Sequence, residues 1–241
     1  MTQEAKIVGG TPSPSTFGLP GNEAMVDPTF SALRVKLQPA EYLNQGLIGG
    51  HYTAGQVSGA LTGVGAAGAV FSARWAPSAG AVPYMVLKRL QIGYTLTTAF
   101  TAGQTLDFDV VRCTGFTAAD SGGTALVLTG NNNKNRSGLM AASSVADMRI
   151  ASTAALTAGT KTQDANPFGY VTSAPINVTP SATVPGGNMQ LTDLYSLINF
   201  GQHPEVFANN EGFNVRAVTA MGSTGVIKLY VVASWAEVPG I

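Results

Sequence analysis

The run Gly225-Val-Ile-Lys-Leu-Tyr-Val-Val-Ala-Ser-Trp-Ala-Glu-Val238 decides the fold class. Ile227, Leu229, Val231, Ala233 and Trp235 recur at every second position, opposite Lys228, Tyr230 and Ser234. Successive side chains of a strand point to opposite faces, so this is a strand with one face against a core.

The same alternation recurs upstream. Glu211–Ala220 sets Phe213, Val215 and Ala217 on one side, and Asp147–Ser152 does so with Met148 and Ile150. Thr105–Cys113 points Leu106, Phe108 and Val110 inward and Asp107 and Asp109 outward. Met85–Thr98 places Val86, Leu90, Ile92, Tyr94 and Leu96 together, and Ala69–Ala76, Ala125–Thr129 and Phe168–Thr172 complete the set. Gly-, Asn- and Ser-rich clusters separate these runs, and Met221-Gly-Ser-Thr-Gly225 reads as a hairpin loop. Leu191–Ile198, with Thr192 as cap, reads as a single helical turn. About eight strands with so little helical period predict an all-β chain. The expected architecture over residues 67–241 is an antiparallel β-sandwich of jelly-roll type, two sheets packed face to face. An immunoglobulin-like sandwich is the second arrangement, and the chain is long for one.

Residues 1–66 have no sustained period and are dense in Pro and Gly, which break helices and central strands. They are expected to form an extended N-terminal arm. Within it, Ser31–Leu37 alternates, and Leu33, Val35 and Leu37 are candidates to add a strand to a neighbour's sheet.

Charged residues make up 11% of the 241 positions, against ~25% in an average soluble domain, and hydrophobic ones 45%. Thirteen basic residues balance thirteen acidic ones. Neutrality argues against a nucleic-acid partner, whose phosphates need a basic stripe. Ser58–Phe71 is too short to span a bilayer, and no leader pattern opens the chain, so cytoplasmic synthesis without a membrane partner is expected. Cys113 has no partner for a disulfide and reads as a small buried hydrophobe.

No catalytic constellation stands out. Gly63-Val-Gly-Ala-Ala-Gly68 matches a dinucleotide-binding string but precedes a strand rather than a helix, and reads as a hinge. His51 and His203 lack positioned partners in sequence, and no metal-ligand spacing is present, so neither cofactor nor metal is expected. Asp107 and Asp109 share a strand face and would suit glycoside hydrolysis only across a cleft; an outward charged face is the plainer reading. Trp75 and Trp235 are large enough to anchor either the core or an inter-subunit contact.

Several segments in order resemble a family of tailed-bacteriophage virion proteins. They are Ala73-Arg-Trp75, Lys88-Arg-Leu-Gln-Ile92, Phe100-Thr-Ala-Gly-Gln-Thr105, Phe116-Thr-Ala-Ala-Asp-Ser-Gly-Gly-Thr124, Thr129-Gly-Asn-Asn-Asn-Lys134, Asp147-Met-Arg-Ile-Ala151, His203-Pro204, Asn210-Glu-Gly212 and Ala233-Ser-Trp-Ala-Glu237. Within that group the chain is most similar to jelly-roll head-decoration, or cement, proteins. The resemblance implies a non-enzymatic component of the capsid surface, a homo-oligomer with a trimer favoured, that bridges subunits of the major capsid protein. A tail, baseplate or fibre module binding host glycan, and a shell-forming capsid protein, are the alternatives.

Overall fold

A computed structural model describes residues 50–77, 84–130, 132–135, 143–173, 189–197 and 204–238. These residues form an antiparallel β-sandwich. The five-stranded sheet runs β1 (His51–Val57), β12 (Val226–Val238), β3 (Tyr84–Thr98) and β10 (Glu205–Phe207), with β9 (Met189–Ser196) also paired to β3. The seven-stranded sheet runs β5 (Thr124–Ala125), β6 (Val145–Ile150), β2 (Ala69–Trp75), β11 (Glu211–Ala217), β4 (Asp107–Thr114) and β7 (Thr162–Gln163), with β8 (Gly169–Thr172) also on β4.

The inward faces interlock as the alternation requires. Leu90, Ile92, Leu229, Val231 and Trp235 from one sheet meet Phe71, Phe108, Val110, Phe213 and Val215 from the other in one buried cluster. Tyr94 and Phe108 bridge the sheets with ring centroids 6.4 Å apart, and Phe207 and Phe213 do so at 5.6 Å. Burying each such side chain is worth about 1.5–3 kcal/mol, which makes this interface the main source of stability. Between Ser234 and Trp235 the pairing with β3 shifts, which leaves Lys88 as the extra residue on β3. Beyond that point both faces of β12 are covered: Trp235 joins the main core, while Ala236 and Val238 pack with Val86 in a second buried cluster.

Four expectations are corrected. Residues 51–66 belong to the sandwich rather than the arm, since β1 pairs with β12 along its whole length. Its inward residues are Tyr52 and Ala54, and alanine and glycine carry too little apolar contrast to mark a strand. Residues 1–49, including Leu33, Val35 and Leu37, lie outside the described residues. The Gly63–Gly68 segment is no hinge: Val64 within it and Leu61 beside it are buried, Ala67 N donates to Ala217 O at 2.8 Å, and Ala217 N donates to Gly68 O at 3.0 Å. The helical turn at Leu191 is instead strand β9, where register shifts against β3 bury Leu194, Tyr195 and Ser196 together and mimic a helical spacing. Finally, Met221–Gly225 is not a hairpin loop, because β11 and β12 lie in different sheets and the segment crosses between them.

Candidate functional site

Trp75 and Trp235 are fully buried. Trp235 stacks on Tyr52 at 5.5 Å, and its Nε1 donates to Glu237 Oε1 at 3.3 Å. Of the two roles open to them, both indoles therefore serve the core and not an inter-subunit contact, since a residue with no accessible surface cannot touch a partner. Among the described residues, the exposed large apolar side chains are Val57, Val127, Tyr170, Leu191 and Val218.

Asp107 and Asp109 share a face but not a cleft. Asp109 is buried, contrary to the outward exposure expected, because Arg216 lies opposite it in register and clamps both carboxylate oxygens at 3.0 and 2.6 Å. That clamp raises the Arg216 guanidinium above its ordinary range. Asp107 accepts from the hydroxyls of Thr105, Thr172 and Thr219. A carboxylate held by arginine and another ringed by hydroxyl donors on one strand do not form the facing pair that glycoside chemistry uses.

His51 does have a neighbour: Lys88 Nζ approaches its Nδ1 at 3.3 Å. Burial, then the Lys88 charge, lowers the imidazole pKa. His203 lies outside the described residues. Cys113 is buried as expected, and burial pushes its thiol up to about 12, far from a reactive thiolate. Among the described residues no group of three His, Cys, Asp or Glu side chains could hold a metal, and no helix is long and apolar enough to cross a membrane.

The most elaborate polar cluster was not foreseen. It sits on the outer face of the seven-stranded sheet, beneath two covering segments. One runs through Phe116 and Asp120, the other through Leu156 and Lys161, and they pair through Thr117 N to Thr160 O at 3.0 Å and the Ser121–Thr157 bridge. Under this cover Lys161 Nζ donates to Asp120 Oδ1, with side chains 2% and 0% exposed. Gly159 N donates to the same oxygen at 2.7 Å, while Asn214 Nδ2 donates to Asp120 Oδ2 at 3.0 Å. The Phe116 ring lies 5.3 Å from Lys161 Nζ. Burial would push the Asp120 carboxyl up, but the bonds from Lys161, Gly159 and Ser72 hold it below the usual range. Asn214 is 1% exposed, and its Oδ1 has no partner. An open groove of about 440 Å³, walled by Ala66–Ala69, Ala158 and Gly159, reaches Lys161 and Asn214. Gly159 allows the close fit, since a Cβ there would stand 2.3 Å from Ala118 O. In sequence, Asn214 resembles any polar outward residue of an alternating strand, so nothing marked the cluster.

No protein-family model, no curated protein and no solved structure matches this chain.

Proposed function

We propose that this protein is a non-enzymatic structural component of a bacteriophage particle, which decorates the capsid surface and cements it by bridging subunits of the major capsid protein. The observation that carries the reading is how few charges there are and how many of them are spent internally. With 11% charged residues in the chain, Asp109, Asp120, Asp147, Asp193, Glu205 and Glu211 are all paired to Lys or Arg within the described residues. Among the described residues Val57, Val127, Tyr170, Leu191 and Val218 are large apolar side chains left exposed. Depletion of charge with exposed apolar and aromatic residues is the composition of a protein–protein contact surface.

The winding of the chain supports the jelly-roll reading. β1, β2, β3 and β4 alternate between the sheets, β11 and β12 do the same, and the order β1-β12-β3 faces β2-β11-β4. The favoured form is a trimeric homo-oligomer. A glycan-binding tail or fibre module would need exposed aromatic rings; Tyr170 is exposed, whereas Tyr195 is buried and accepts from Glu205 N.

The test adds purified protein to heads that lack it. Saturable binding at hundreds of copies per head, with a gain in heat resistance, is expected, and light scattering should give three chains per soluble particle. Heads that bind none of it, or antibody labelling confined to tails, would overturn the assignment.

A further inference from the structure

The cluster under the seven-stranded sheet has the parts of an amide-forming site. A nucleophilic amine, a carboxamide and a carboxylate are shut away together. The carboxylate presents one oxygen to each of the other two: Asp120 Oδ1 accepts from Lys161 Nζ and Asp120 Oδ2 accepts from Asn214 Nδ2. A base placed on both the nucleophile and the departing group can take a proton from the first and deliver one to the second. We propose that Lys161 and Asn214 become joined by an intramolecular isopeptide bond, with Asp120 as the proton carrier.

The step balances without any added reagent. Lys161 first yields a proton to Asp120, which leaves a free amine lone pair. Nζ attacks Asn214 Cγ and the Nζ–Cγ bond forms. Asp120 hands the proton it holds to Nδ2, the Cγ–Nδ2 bond breaks and ammonia departs. The regenerated Asp120 carboxylate then takes the second proton from Nζ and passes it to the ammonia. The product is a secondary amide plus one ammonium ion, with no change of oxidation state.

The surroundings suit this chemistry. The side chains of Lys161 and Asp120 are almost entirely removed from solvent, and the Phe116 ring lies over the amine. Gly159 N and Ser72 fix the Asp120 carboxylate. The groove that reaches both Lys161 and Asn214 gives ammonia a way out. Asn214 Oδ1, buried without a partner, makes no hydrogen bond that the new amide would have to break. The bond would tie the covering segment at Lys161 to the centre of β11 in a chain whose one cysteine allows no internal disulfide. It stands independently of any role in a particle.

The experiment is the intact mass of the purified full-length chain, measured unfolded at a resolution that separates loss of ammonia from loss of water, followed by tryptic mapping. The expected result is a mass one ammonia below that of the sequence, with Lys161 resistant to trypsin and a branched peptide joining it to the Asn214 segment. Lys161→Arg and Asp120→Asn should each restore the full mass. An unmodified wild-type mass overturns the proposal even if neither variant folds. So does loss of one water, which would mean an amide between Lys161 and Asp120, and so does loss of ammonia carried on an unbranched peptide.

Discussion

The two sheets share one core yet treat their outer faces in opposite ways. Along the middle of the five-stranded sheet the outward row is at the surface: Thr53 and Lys228 are exposed and Gln91 and Ser234 are half-buried, while at one end Val86, Ala236 and Val238 form a buried cluster of their own. On the seven-stranded sheet the equivalent row, Ser72, Asp109, Cys113 and Asn214, is buried. The difference comes from what lies above. The segments through Phe116 and Lys161 roof the second sheet, and Phe116 packs on Val111 and Cys113 as a small apolar cluster of its own. Among the described residues, loops thus build a third layer over the second sheet, while the middle of the first is open to solvent. A charge on the bare face is solvated and worth little; a charge beneath the roof must be paired, because an isolated buried ion is very costly.

The largest effect should come from the layer both sheets share. Trp235→Ala empties a fully buried site and removes the stack on Tyr52. It should cost about 3–5 kcal/mol. Urea unfolding should show the midpoint falling with little change in slope. A loss below about 1 kcal/mol would mean that the end of the sandwich near Glu237 is not closely packed.

Next comes the roofed face. Arg216→Ala leaves Asp109 buried with a clamp removed, and stranding one member of a buried pair costs about 3 kcal/mol. Asp109→Asn in the same background should recover much of that loss, since it removes the stranded charge. Failure of the second change to rescue the first would show that Arg216 acts through its packing, or through its 3.2 Å bond to Gln163, rather than through charge.

These contrasts explain what the sequence made legible. Where a strand alternates large apolar with polar residues, as in Ile227–Trp235 or Leu106–Val110, the inner face could be read directly. The outer face could not, because Asp109 and Asn214 look the same whether water or a loop lies over them. The roof itself, Phe116–Asp120 and Leu156–Lys161, has no period, and its placement depends on close backbone approach at Gly159 and on left-handed turns at Gly122 and Gly123. β1 escaped for a different reason, since its inner face uses Ala54 and its outer face Gly55. The polar cluster around Asp120 was invisible because Asp120, Lys161 and Asn214 come from three separate stretches that only the fold brings together.

A smaller effect belongs to Glu237, buried on β12 two residues beyond Trp235 and so on the same face of the strand. Burial raises its pKa above the ordinary 4.5, despite bonds from Ser143, Ser144 and Trp235, and Tyr52 nearby has its own pKa raised chiefly by burial. The native state therefore holds this proton more tightly than the unfolded chain. The stability that follows is complete below pH 4.5 and is lost as pH rises through the native pKa. Glu237→Gln should remove that decline and leave the fold at least as stable at neutral pH. Thermal unfolding across mildly acidic to neutral pH measures it; a variant with the wild-type slope would assign the decline to another group.

The smallest effect should fall on the bare face and complete the contrast. Arg89 pairs with Asp193 at 2.7 Å, a separation comparable to that of Arg216 and Asp109, yet its side chain is 51% exposed. Solvent screens both charges, and ordering two long side chains offsets much of the attraction, so Arg89→Ala should cost about 0–1 kcal/mol. Moderate salt should erase what remains, since the screening length shrinks to roughly 3 Å at 1 M. The Arg216→Ala loss should persist at the same salt, because ions do not reach a pair beneath the roof. Measured together at low and high salt, the two variants separate geometry from burial. Equal losses would mean that the covering segments do not shield Arg216 and Asp109 from solvent, which would remove the third layer as the source of the contrast.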